Sequence, residues 1–273
     1  SGARNLEVID EKVDLTDEKA RNIEEERGSV DFEHVWFKYK KEAKEYVLSD
    51  ISFHIEAGQT VGVIGQTGAA KSTLVQLIPR LYDATEGVVK VDGVPVQEYP
   101  MAHLREAIAM VLQKNTLFSG SLLDNLRWGK EDASMEEIEE ACRIACVDEV
   151  LERLPEGYET EMGQGGVNVS GGQKQRICIA RALLKKPKVL ILDDSTSAVD
   201  TATEAKIRER MGAALPDMTK IIIGQRISSV RHADQIIILD DGRVSAIGTH
   251  EELLARSEIY QQIYESQKEG VEL

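Results

Sequence analysis

A run of small and hydroxylated residues around one lysine, Gly65-Gln66-Thr67-Gly68-Ala69-Ala70-Lys71-Ser72-Thr73, has the chemistry of a phosphate cradle. It follows an apolar run, Thr60-Val61-Gly62-Val63-Ile64, and precedes apolar residues at helical spacing, Leu74, Leu77, Ile78 and Leu81. A glycine-bearing loop between strand and helix aims backbone N–H groups and the helix dipole at an anion. Lys71 can then reach the outer phosphates, and the Ser72 hydroxyl can ligate magnesium. Far downstream, Val189-Leu190-Ile191-Leu192-Asp193-Asp194 reads as a buried strand ending in carboxylates, where a second magnesium contact is needed. Together the two segments imply a nucleoside triphosphate bound with Mg2+.

The elements that must hold these groups follow from hydrophobic period. Alternation at Val30, Phe32, Val35 and Phe37, then Val47, Leu48, Ile51, Phe53 and Ile55, predicts a β-rich opening. A strand pair is expected around Val88–Val91 and Val94–Val96 with an Asp92-Gly93 turn, and a short strand over Ile108–Leu112. Residues 121–184 are mostly helical in pattern. Met135–Cys146 is amphipathic, with Ser134 and Glu137 forming a capping box, and Val147–Leu154 continues as helix. Ser170 can cap a helix over Gly171–Leu184. Strands then alternate with helices at Val189–Leu192, Lys220–Ile223 and Gln235–Leu239. An Asp240-Asp241-Gly242 turn follows, and helices over Thr249–Arg256 and Glu258–Lys268 close the chain. The fold class is α/β, a parallel sheet wrapped by helices and carrying a helical insertion.

Composition narrows the function classes. The net charge of −15 argues against nucleic acid as a partner, because its phosphates would be repelled. Lys38, Lys40, Lys41 and Lys44 are interrupted by acids and read as a solvated loop. No apolar stretch reaches the ~18 residues of a membrane helix. Ser1-Gly2-Ala3 in place of an initiator Met suggests an excised fragment, and residues 1–27, rich in acids and lysine, read as a linker. Three cysteines provide no disulfide framework and suit a reducing cytosol. Cys142 and Cys146 share a helix face, and without a neighbouring His or further Cys they read as small core residues, not metal ligands.

Between the two phosphate segments stands Val169-Ser170-Gly171-Gly172-Gln173-Lys174-Gln175-Arg176, a second anion site at a helix start. With it the chain resembles the nucleotide-binding domain of ABC transporters. The resemblance extends over about residues 28–268 and implies a P-loop NTPase-type core with an antiparallel β subdomain and a helical subdomain at about 114–184. It implies that Gly65–Thr73 is the Walker A loop and that Tyr39 stacks on adenine, against the alternative of a core strand residue. Gln113 matches the Q-loop glutamine, a magnesium ligand and hinge. Asp193 matches the Walker B magnesium carboxylate, so the implied metal set is Ser72, Gln113 and Asp193. Ser170, Gly171, Gly172 and Gln173 match the signature, which closes over ATP held by a second, head-to-tail subunit. Asp200, in Ser197-Ala198-Val199-Asp200, matches the D-loop. Gln113–Ser121 and Ile247–Leu253 are similar to exporter-type cassettes, and residues 1–27 resemble the segment following a membrane domain. The implied setting is the cytoplasmic face of the cell membrane, with membrane domains and a second cassette as partners.

Two departures fall on the chemistry. The family's catalytic base is a glutamate after the magnesium aspartate; here Asp194 stands there, its carboxylate drawn back by more than ~1 Å. The family's switch histidine is replaced by Gln225, whose amide can donate a hydrogen bond but cannot become cationic or relay a proton. Loss of general acid–base assistance is worth ~10²–10⁴ in rate. The expectation is a site that binds Mg-ATP and hydrolyses it slowly, resembling the degenerate half of a heterodimeric exporter. Its intact signature would complete the partner's active site, the partner supplying Glu and His. The alternatives are a homodimeric exporter with Asp194 as a weaker base, and a soluble ABC ATPase of DNA repair or translation, which the charge and the exporter-like segments oppose. Smaller departures are Ala70 for glycine, expected to crowd the loop; Ser195 for proline; and Gln164-Gly165 for the usual Glu-Arg pair.

Overall fold

A computed structural model describes residues 15–17, 20, 27–66, 68–114, 116–163, 166–167 and 169–269. The expectations placed on Thr67, on Gln164 and Gly165, and on most of the 1–27 linker lie outside the described residues.

Twelve strands and ten α-helices follow in order among the described residues. The opening is β1 (Val30–Phe37), β2 (Leu48–Ile55), β3 (Thr60–Gly65) and α1 (Gly68–Gln76). Next come β4 (Glu86–Val91), β5 (Val94–Pro95), α2 (Met101–Ala107) and β6 (Ile108–Val111). The insertion holds β7 (Gly120–Ser121), α3 (Leu122–Arg127), α4 (Met135–Ile144), α5 (Val147–Leu151), β8 (Glu161–Met162) and α6 (Gly171–Leu183). The chain closes with β9 (Val189–Asp193), α7 (Thr201–Ala214), β10 (Thr219–Ile223), α8 (Ile227–Val230), β11 (Gln235–Asp240), β12 (Arg243–Gly248), α9 (His250–Arg256) and α10 (Glu258–Glu269).

The central sheet runs β12-β11-β3-β10-β9-β6, parallel except for the antiparallel edge strand β12. Both faces are covered, so its strands read as near-continuous apolar runs, as Val189–Leu192 does. An antiparallel sheet, β2-β1-β4-β5, packs its buried face into the same core as the P-loop helix. The helical insertion has a core of its own, with Leu122, Ile138, Ile177 and Ile179 fully buried. Cys142, Cys146 and Cys178 are buried there as free thiols, and burial pushes the Cys142 thiol up to about 12, as expected of small core residues.

Several local rules act as anticipated. Ser134 accepts from Glu137 N and Glu137 reciprocates, closing the capping box of α4. Ser170 does the same with Gln173 at α6. Some boundaries differ. The helix from Val147 stops at Leu151 rather than Leu154, and Val96 leaves its strand after Pro95, which has no N–H to extend a ladder. Pro100 opens α2, a helix too short to show its period in sequence.

Candidate nucleotide site

The carboxyl ends of β3, β9, β10 and β11 finish side by side, with Ile223 paired to Asp193 and Gly65 to Leu239. Parallel α/β sheets put ligands at this edge, and the Lys71 loop and the two aspartates lie on it. Gly65 is required by close approach, since a Cβ there would sit 2.4 Å from Leu239 O. Lys71 is 1 % exposed, and its ammonium donates to Gly65 O at 3.1 Å. The Ser72 hydroxyl donates to Asp193 Oδ2 at 2.8 Å. A hydroxyl and a carboxylate brought together by different elements are hard oxygen donors of the kind Mg2+ takes.

The charges are under strain. Burial lowers the Lys71 pKa, with Asp194 and Asp193 pulling it back up. Burial raises Asp193, opposed by the Ser72 hydrogen bond and by Lys71. Burial also raises Asp194, and the Asp193 charge adds to it, against Lys71 and Arg226. Asp194 adopts a left-handed backbone, φ 51°, which aspartate tolerates better than most residues. Its N–H donates to Ile223 O at 2.9 Å, fixing it beside the end of β10.

Gln113, Asp194 and Gln225, far apart in sequence, line one cleft of about 170 Å3. Tyr39 stands just after β1 and is 53 % exposed, which removes the core-residue alternative. Its hydroxyl is 2.6 Å from Thr73 Oγ1, and Phe37 and Tyr82 meet the ring edge to face. Ala70 is buried in the main core, so its methyl packs inward instead of crowding the loop's outer rim.

The signature residues stand at the N-terminus of α6. The Ser170 hydroxyl caps its own helix at Gln173 N, 3.1 Å, and the Gln173 amide oxygen accepts from Ser170 N at 2.9 Å. Gly172 presses against the D-loop, where a Cβ would lie 2.6 Å from Ala198 O. Asp200 is the cap of α7, accepting from Thr203 N and Thr203 Oγ1 at 2.8 Å each, and those bonds hold its carboxyl below the usual range.

Four further residues support this arrangement. Gln175 donates to Ser197 Oγ at 3.0 Å and Asp194 O at 3.4 Å while accepting from Ala198 N at 2.9 Å. Buried Glu204 accepts from Ser229 and Arg226, at 3.0 and 3.1 Å, and from Thr196. Gln267, at the end of α10, donates to Gln225 O at 2.5 Å and accepts from Ile227 N at 2.7 Å. The Ser195 hydroxyl donates to Val111 O at 2.5 Å, a bond proline could not make. Gln175, within the signature run, and Ser195, in place of a proline, carried a sequence signal; Glu204 and Gln267 are polar residues whose partners lie on distant elements.

Beside this edge lies a groove of about 360 Å3 with exposed apolar groups, Leu112 and Trp128. Phe118 packs on Trp128, centroids 4.7 Å apart, and the Arg181 guanidinium lies 5.6 Å from the Phe118 ring centroid. Among the described residues no helix is long and apolar enough to cross a membrane.

The ABC transporter family model matches residues 48–197. An ABC transporter ATP-binding protein of Bacillus subtilis (strain 168), YfiB, is 46% identical over 274 residues, covering 100% of this chain and 47% of that protein. The ATP-dependent lipid A-core flippase of Legionella pneumophila (strain Paris) is 39% identical over 272 residues, covering 98% and 46%. A solved bacterial Atm1-family ABC exporter with ATP bound superposes with a TM-score of 0.87 at 36% identity, over 94% of this chain and 45% of that one. The chain thus spans about half the length of these relatives.

Proposed function

The chain belongs to the ABC transporter family, and from that premise we propose that it is the ATP-binding cassette of an exporter whose own nucleotide site binds Mg-ATP but hydrolyses it slowly. Lys71 and the N-terminus of α1 receive the phosphates, Tyr39 receives the base, and Ser72, Asp193 and Gln113 hold magnesium. Magnesium held there would offset phosphate charge. ATP drives head-to-tail pairing with a second cassette, onto which Ser170–Gln173 closes. Membrane domains dock in the groove that exposes Leu112 and Trp128, next to Gln113. The cassette then works at the cytoplasmic face of the membrane.

One observation carries the slow-site reading: Asp194 and Gln225 line the same cleft, so both substitutions fall on one reaction. A base must lie about 2.6–3.2 Å from the proton it takes. Asp194 is a methylene shorter than glutamate, and its backbone is fixed by the bond to Ile223 O. Two weakened groups acting on one water suggest a site kept for holding nucleotide, paired with a different cassette that carries Glu and His. A second reading, a homodimeric exporter with Asp194 as its base, draws on the raised Asp194 pKa, which moves a carboxylate toward the range where bases work best. Turnover of the chain alone, and mixed with a cassette carrying Glu and His, separates the two. The first reading expects weak turnover alone and gain on mixing; brisk turnover alone supports the second.

A further inference from the structure

Behind the nucleotide cleft, separated from it by the Thr196–Glu204–Ser229 cluster, lies a second cavity of about 270 Å3. It is roofed by α7 and floored by the outer face of β10. Its walls are mostly aliphatic: Leu192, Ile207, Met211 and Ile222 line it. Polar and charged side chains line it as well, Lys220 among them. Lys220 lies on β10, two positions before Ile222, and so projects from the same face of the sheet. Ile221 and Ile223, on the other face, belong to the main core.

Lys220 is only 7 % exposed, and its ammonium makes no hydrogen bond or ion pair with any described residue. The nearest counter-charge acting on it is Asp234, whose Oδ2 already accepts from Thr60 N at 2.8 Å. Burial of the side chain lowers the Lys220 pKa, against the pull of the Asp234 charge. Arg208 and His232 also line the cavity, and Arg208 has no carboxylate partner among the described residues. The carboxylate on the wall, Glu204, is engaged by Arg226, Ser229 and Thr196. The cavity therefore combines an aliphatic body with an excess of unanswered positive charge, on a chain of net charge −15.

We propose that this cavity is a binding site for a small amphipathic carboxylate, its head group paired with Lys220 and its apolar tail lying among Leu192, Ile207, Met211 and Ile222. A compact apolar pocket with a few convergent polar groups is the usual form of a small-molecule site. The carboxylate supplies the acceptor that the ammonium lacks, and the tail removes its own surface from water.

Octanoate is the probe. Titration calorimetry on the chain should show saturable binding, weakened about tenfold or more by Lys220→Met, which keeps length and removes charge. Saturating Mg-ATP should leave octanoate binding in place. In the unmodified protein, nuclear Overhauser contacts should join the octanoate chain to the Met211 methyl. That measurement decides the matter even if Lys220→Met fails to fold. Absence of saturable binding, equal affinity in folded Lys220→Met, displacement by Mg-ATP, or no contact to Met211 would each overturn the proposal.

Discussion

The starts of α1 and α6 are both helix N-termini opened by small residues, yet they are built to opposite ends. At α1 the side chains turn inward. Lys71 is buried against Gly65 O, and Ser72 reaches across to Asp193. At α6 the side chains satisfy one another, Ser170 and Gln173 closing a capping box on the surface. The first arrangement stores unmet charge in a pocket of its own chain. The second is locally complete and offers only its exposed rim and dipole to something arriving from outside. The difference fits the proposed roles, in which α1 would serve an anion enclosed by this chain and α6 one held by a neighbour.

The sharpest way to break this contrast is at Lys71. Lys71→Ala should weaken ATP binding by about 3 kcal/mol, roughly 100-fold, since it leaves buried phosphates unpaired. Titration of the variant with Mg-ATP checks this, and near-normal affinity would show that the buried lysine does not face the ligand. Ser170→Ala, by contrast, should cost about 1 kcal/mol of fold stability through the lost cap and leave the chain's own ATP affinity unchanged. Denaturant unfolding alongside the same titration separates those effects; a fall in the chain's own ATP affinity would erase the distinction.

A subtler effect is expected at the carboxylates. Asp193 and Asp194 both have raised values in the fold. Their stabilising contribution is therefore complete below the ordinary aspartate value of 3.8 and is lost as pH rises through the folded values. Asp194→Asn removes one of the two charges. Its nucleotide-free form should be more stable than the parent at neutral pH by on the order of 1 kcal/mol, an advantage that shrinks toward pH 4. Melting curves across that range test the sign. The smallest effect belongs to Gln267→Ala, which frees the backbone around Gln225 at a cost of about 1 kcal/mol or less. Faster amide exchange at Ile227 would report it.

Much of this is legible in the sequence. The P-loop, the strand ending at Asp193 and the Ser134 and Ser170 caps are local features, set by residues within one turn or one strand of each other. The fold class followed from alternating strand and helix periods. Less legible were contacts that join distant segments. Nothing in the run around Ser195 announces that its hydroxyl meets Val111, and nothing at Gln267 announces the backbone on either side of Arg226. Ala70 was expected to crowd the loop, being within it; its methyl is buried in the main core. Lys220 stayed invisible for the same reason, since a lysine in a short strand reads as exposed until α7 is laid over it.

The central claim, a pocket that retains nucleotide but cleaves it poorly, meets its most direct test in Asp194→Glu combined with Gln225→His. Restoring both groups should raise ATP turnover of the chain by ~10²–10⁴ with ATP affinity nearly unchanged. Brisk turnover by the unmodified chain, with no gain from the double substitution, would contradict it.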